Sequence, residues 1–212
     1  MPDVDLDDLA ARVTRLADAA AGRRVLVGVV GAPGSGKSTL AKRLANRLTA
    51  EHLPAVRVPM DGFHLADVVL AERGLLDRKG APETFDAHGY LNLLRRLRTE
   101  AGHDVLAPGF ERDLEQPIAA SITVAPSHRV VVTEGNYLLD DADPWPAVRA
   151  ELDEVWFVDL DDARRRSRLV DRHVRYGRSR EDAQAWVAEV DEPNAQRVLA
   201  RRSAADLAVP SP

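Results

Sequence analysis

The chain has 212 residues, 45% hydrophobic and 30% charged, enough for one α/β domain with a full core and too few for two independent ones. A net charge of −5 gives no general affinity for nucleic acid or an anionic membrane, and the absence of cysteine excludes disulfides, thiol catalysis and cysteine zinc sites. No apolar run could span a bilayer, and the opening Met1-Pro-Asp-Val-Asp-Leu-Asp-Asp8 lacks the apolar segment of a signal peptide. The expectation is a cytoplasmic monomer or homodimer with no nucleic-acid or membrane partner.

Leu6, Leu9, Val13 and Leu16 fall at helical spacing behind an aspartate-rich first turn, which predicts a surface helix over 5–20. Val25 to Val30 is a β-branched apolar run that reads as a strand buried on both faces. It leads into Gly31-Ala-Pro-Gly-Ser-Gly-Lys-Ser38, which fits the phosphate-loop pattern G-x-x-x-x-G-K-S/T, and Leu40, Leu44 and Leu48 then mark an amphipathic helix. Strand, loop and helix in that order are the context the motif requires. Gly31, Ala32, Pro33, Gly34, Ser35 and Gly36 form a turn whose amides can cradle phosphate oxygens at a helix N-terminus. Lys37 carries charge to the β- and γ-phosphates, Ser38 is a ligand for magnesium, and Thr39 helps hold the α-phosphate. Only Lys37, Lys42 and Lys79 are lysine among 29 basic residues, and one of them stands where the loop needs it.

Val56 to Val58 reads as a second strand, closed by Pro59, that delivers Met60-Asp-Gly-Phe-His64 to the rim where open α/β sheets bind ligands. Asp61 is the candidate general base for an acceptor hydroxyl, the other reading being a simple Asp-Gly turn. His64 is a candidate substrate contact. The charged loop from Arg73 to Asp86 carries Arg78 and Lys79, adjacent cations suited to phosphate or carboxylate or merely exposed, and Asp86 can cap a helix bearing Leu91, Leu94 and Leu97. Pro108-Gly-Phe-Glu-Arg-Asp113 reads as a turn, followed by a short strand from Ile118 to Val124.

Val130 to Thr133 is another buried strand, ending in Glu134, where a phosphate-loop protein keeps its second magnesium-organising carboxylate beside the substrate. Val155 to Leu160 is a further core strand, and Asp161-Asp162 caps the next helix. Eight arginines between Arg164 and Arg180 form a lid that closes over a triphosphate or a solvated helix laced with pairs such as Asp161 with Arg165 and Asp171 with Arg175; Arg168 and Arg172 are the catalytic candidates. A capping box at Ser179 to Asp182 opens a last long helix with Ala183, Trp186, Val187 and Val190 on one face, and Ala205 to Val209 can add an edge strand.

From Val25 onward the chain resembles the small-molecule kinases that include uridine kinase, phosphoribulokinase and type I pantothenate kinase. The resemblance is carried by the loop at Gly31 to Ser38, Met60-Asp-Gly-Phe-His64, Arg78-Lys-Gly-Ala-Pro-Glu-Thr-Phe-Asp86, Thr133-Glu-Gly-Asn-Tyr137 and the arginine helix, and is strongest to pantothenate kinase and a branch of nucleoside or fructose kinase-like proteins. It implies a P-loop NTPase three-layer sandwich, with a central mainly parallel sheet, helices on both faces and a helical lid. It implies one domain over 1–212, with a substrate-binding insertion at about 62–126 and a lid at about 161–180. It also implies ATP and Mg2+, Asp61 as catalytic aspartate, Glu134 as the strand-end acid, and Arg168 and Arg172 in the lid. The segment Pro108 to Asp113 departs from the pantothenate kinase pattern and leaves Glu111, Arg112 and Asp113 as the polar lining of an unassigned acceptor pocket. The expected reaction is transfer of the γ-phosphate of ATP to a hydroxyl of a small metabolite, such as a sugar, nucleoside or pantothenate-like alcohol. The alternatives are a nucleotide-dependent switch and a nucleoside monophosphate kinase, the latter needing Arg78 and Lys79 as a second phosphate site.

Overall fold

The computed structural model describes residues 5–212; residues 1–4, part of the stretch read as lacking a signal peptide, lie outside the described residues. Helix α1 (Leu6–Ala19) is capped by Asp5, whose carboxylate accepts from the amides of Asp7 and Asp8. Strand β1 (Val25–Val30) follows, then α2 (Lys37–Ala50) and β2 (Ala55–Pro59). After a 3-10 turn at Met60–Phe63 come α3 (Asp67–Glu72), two further 3-10 turns, and α4 (Ala87–Thr99), capped as expected by Asp86. An antiparallel hairpin of β3 (Val105–Glu111) and β4 (Gln116–Val124) precedes β5 (Val130–Gly135), α5 (Trp145–Ala150) and β6 (Glu154–Asp159). The chain ends in α6 (Asp162–Arg175), α7 (Arg180–Trp186), a π-helical turn at Val187–Asp191, α8 (Glu192–Leu199) and β7 (Leu207–Pro210).

Five strands form one parallel sheet in the order β2-β5-β1-β6-β7. Alternation along each strand builds two cores. Val25, Val27 and Val29 of β1 and Trp156 and Val158 of β6 pack with α1 and α2 on one face. Leu26, Val30, Val131, Val155 and Phe157 point the other way, against Tyr90, Leu94 and Leu97 of α4 and Trp145 and Val148 of α5. Leu40, Leu44 and Leu48 have no exposed surface, and burying a leucine side chain contributes about 1.5–3 kcal/mol. Helices on both faces of a parallel sheet give the three layers expected.

The register positions the functional residues. Val30 pairs with Gly135 and Pro59 with Glu134, so β1, β2 and β5 leave the sheet at one edge and deliver the loop at Gly31, Asp61 and Glu134 side by side. Two local expectations are corrected. Pro108 to Glu111 is strand and not turn: the proline sits where the β3–β4 register shifts, between Ala107 and Gly109, so the missing N–H costs no regular ladder bond, and the chain reverses at Arg112 to Glu115. The last long helix is interrupted by the π turn, which leaves Trp186 only half-buried. Among the described residues no helix is long and apolar enough to cross a membrane.

Candidate active site

The phosphate loop is built from backbone. Gly34 and Gly36 have φ of +82° and +95°, which a side chain adopts only with strain, and a Cβ on Gly34 would meet Leu169 Cγ at 2.9 Å and the carbonyl of Arg165 at 3.0 Å. The loop is thus pressed against α6. Gly36 caps α2 without a side chain, so the first amides of the helix are left for an anion. Lys37 opens α2 and is 9% exposed. Burial lowers its ammonium pKa, opposed by Glu134 and Asp61, with Arg172 and Arg112 lowering it further. A cation in that state gains from any phosphate that enters.

Glu134 is 1% exposed, with Oε1 2.9 Å from Arg57 Nη1. Its Oε2 is buried without a hydrogen-bond partner among the described residues. Burial pushes the Glu134 carboxyl up, and Asp61 adds to this, while Lys37, Arg57 and Ser38 work the other way. An orphaned carboxylate oxygen close to the Ser38 hydroxyl is a donor set that fits a hard divalent cation.

Asp61 lies in the 3-10 turn after β2, with its Oδ2 2.8 Å from Arg112 Nη2. Burial alone would raise its carboxyl, but His64, Arg112, Lys37 and Arg172 hold it below the ordinary aspartate range. His64 stacks against Phe85 and Phe110, at 4.0 and 4.9 Å between ring centroids, and its Nδ1 lies 3.1 Å from the Asp61 carbonyl oxygen. Burial lowers the His64 pKa, and the neighbouring Asp61 works the other way.

These groups border a cleft of about 540 Å³. Of the residues singled out from sequence, Pro33, Lys37, Ser38, Asp61, His64, Lys79, Arg112 and Arg172 line it, and Glu134 lies buried beside it. Arg78 is turned to Glu83, while Lys79 is engaged with Asp67 at 2.6 Å and the Glu115 carbonyl. Glu111 is exposed, its carboxylate accepting from the Asp113 amide at 3.3 Å. Arg168 lies outside the cleft, donating to Ser211 Oγ at 2.8 Å near Gly36, and Thr39 is exposed on the first turn of α2. The pairs expected along α6 are replaced: Arg165, 1% exposed, reaches Asp162 and Glu192, and Asp171 pairs with Arg180.

Sequence reasoning missed Asn136, Arg178, Trp186, Asp191 and Asn194, all of which line the cleft. Asn136 stood in a motif from which only its acid was taken. Arg178 lies in the turn before α7, Trp186 ends α7 and Asn194 sits in α8, while Asp191 ends the π turn, which carries no periodic signal.

The model of the phosphoribulokinase/uridine kinase family matches residues 26–211. The chain is similar to the ATP-dependent kinase-like protein notR' of Aspergillus versicolor, with 39% identity over 125 residues, 56% of this chain and 73% of that one. A crystal structure of a candidate fructose transport system kinase from Silicibacter sp. TM1040 superposes with a TM-score of 0.82 at 42% identity, covering 91% of this chain and 98% of the other. YFH7 of Saccharomyces cerevisiae has the same fold, with a TM-score of 0.82 at 21% identity and 98% of each chain covered. On this ground, and with a phosphate loop of the required sequence and shape, the chain belongs to the phosphoribulokinase/uridine kinase family and is an ATP-dependent kinase.

Proposed function

We propose that the chain transfers the γ-phosphate of ATP to a hydroxyl group of a small metabolite, acting as one kinase unit in which about 62–126 holds the acceptor and about 161–180 is the lid. The observation that carries this reading is that Asp61 and Lys37 border one cleft, so that a carboxylate and a phosphate anchor face the same volume. The loop amides and Lys37 hold the phosphates. An Asp61 oxygen takes the proton of the acceptor hydroxyl as that oxygen attacks the γ-phosphorus, and the bond from phosphorus to the ADP oxygen breaks. Products are ADP and the phosphate ester, with the proton left on Asp61. Arg172, facing the cleft, balances charge on the transferring group.

Ser38 and Glu134 would hold magnesium, which supplies charge neutralisation on the phosphates. Arg78 and Lys79 are committed to Glu83 and Asp67, which weighs against the second phosphate site of a monophosphate kinase. The test is ADP release measured with and without hydroxyl compounds: acceptor-dependent release that is lost in Asp61→Asn supports the reading. Release governed by a protein partner instead would favour a switch.

A further inference from the structure

The cleft contains an amide oxygen that nothing among the described residues satisfies. Asn136 follows β5 and lines the cleft, and its Oδ1 is buried with no hydrogen-bond partner among the described residues. Folded proteins retain few such groups, and one beside a binding cleft asks for a donor from a ligand. Asp191, at the end of the π turn, and Asn194, in α8, line the same cleft, and Asn194 is only 9% exposed. An amide offers both a donor and an acceptor, which suits adjacent hydroxyls that themselves do both.

Most cations of the cleft are already engaged. Arg112 is held by Asp61, Lys79 by Asp67, and the Arg178 guanidinium lies 4.0 Å over the Trp186 ring. Arg172 lines the cleft without an ion pair among the described residues and is assigned above to the transferring phosphoryl group. Apart from Lys37 and Arg172, which the proposed reaction uses on the phosphates, no cation lining the cleft among the described residues is left without an ion pair or a stacking partner, and Glu115 and Asp191 border the cleft as well.

We propose that Asn136 and Asn194 grip the hydroxyls of the acceptor, and that this acceptor is an uncharged polyol of the free-sugar class. The assignment rests on the phosphoryl-transfer reading given above.

The test compares D-fructose and D-ribose with the anionic probes D-glycerate and fructose 6-phosphate, by ADP release and by calorimetric binding to the full chain without ATP. The expected result is turnover and binding with the uncharged probes, and a rise of ~5- to 20-fold in their KM in Asn194→Ala and Asn136→Ala, the scale of one lost hydrogen bond. The KM for ATP and the magnesium activation constant stay unchanged, and retained ATP binding shows that each variant is folded. Turnover confined to the anionic probes overturns the polyol assignment while leaving the kinase intact. A shift in the magnesium activation constant in place of the acceptor KM overturns it too, assigning Asn136 to the metal. Polyol binding that the asparagine variants lose, without turnover of any probe, sustains the subsite and counts against transfer to these sugars, whereas no polyol binding at all overturns the subsite.

Discussion

Arg112, at the reversal of the β3–β4 hairpin, donates from Nη2 to Oδ2 of Asp61 at 2.8 Å, so the hairpin is fastened to the proposed general base. Its guanidinium also lies 5.1 Å over the Phe110 ring. Burial alone would favour the neutral acid, and the pair is one of the contacts, with His64, Lys37 and Arg172, that hold the Asp61 carboxyl below its ordinary range. Removing Arg112 removes one of the charges that hold the carboxyl down. In Arg112→Ala the acid limb of the kcat/KM profile therefore moves to higher pH, since the base form is populated later. A profile whose acid limb stays in place would show that this pair does not set the ionisation of the base.

Asp61→Asn keeps the shape of the side chain and removes its basicity. Turnover falls by ~10²- to 10⁴-fold, the range for a positioned general base, while ATP affinity is retained. Rate and affinity measured on the same preparation separate the two, and wild-type turnover would remove Asp61 from the mechanism.

Glu134 makes the opposite electrostatic prediction. Burial raises its carboxyl above the ordinary range, so ionising it in the folded chain costs free energy. The contribution is fully present below the unfolded glutamate value of about 4.3 and is lost as pH rises through the raised folded value. Glu134→Gln cannot ionise. Without nucleotide or divalent cation, the thermal midpoint of the wild type therefore falls relative to the variant as pH rises from about 4.3 through the raised folded value. Added magnesium and ATP restore the wild type more than the variant. Parallel pH curves for the two proteins would contradict the assigned burial cost.

Gly34 couples the phosphate loop to α6. A methyl group there meets the Arg165 carbonyl and Leu169, and a positive φ adds backbone strain. Gly34→Ala is expected to cost about 1–3 kcal/mol of stability and to weaken ATP binding. Denaturant unfolding reads the first and nucleotide titration the second; an unchanged midpoint would mean that the loop and α6 move apart easily.

Much of the scaffold was legible because its signals are contiguous. Val25 to Val30, the glycine loop and the leucines of α2 announce strand, turn and helix in order, and the structure has them there. Strand order is different: β5 lies between β1 and β2, and only that pairing makes Asp61 and Glu134 neighbours across a long stretch of sequence. Pro108 was misread because a proline signals a turn, whereas here it occupies an irregular point of a hairpin. Arg168 and Arg172 share one helix, yet only Arg172 reaches the cleft, while Arg168 goes to Ser211. Asp191 was invisible because it ends a π turn, which has no period to detect, and Asn194 because it sits in α8, beyond the apolar face by which that helix was read.

The account is tested most directly by following the γ-phosphate itself. Phosphorus NMR of the full chain with ATP, magnesium and a panel of hydroxyl compounds should show ADP and a phosphate ester appearing in equal amounts, with the ester absent in Asp61→Asn. ADP accompanied only by inorganic phosphate, at a rate indifferent to every alcohol offered, would contradict transfer to an acceptor.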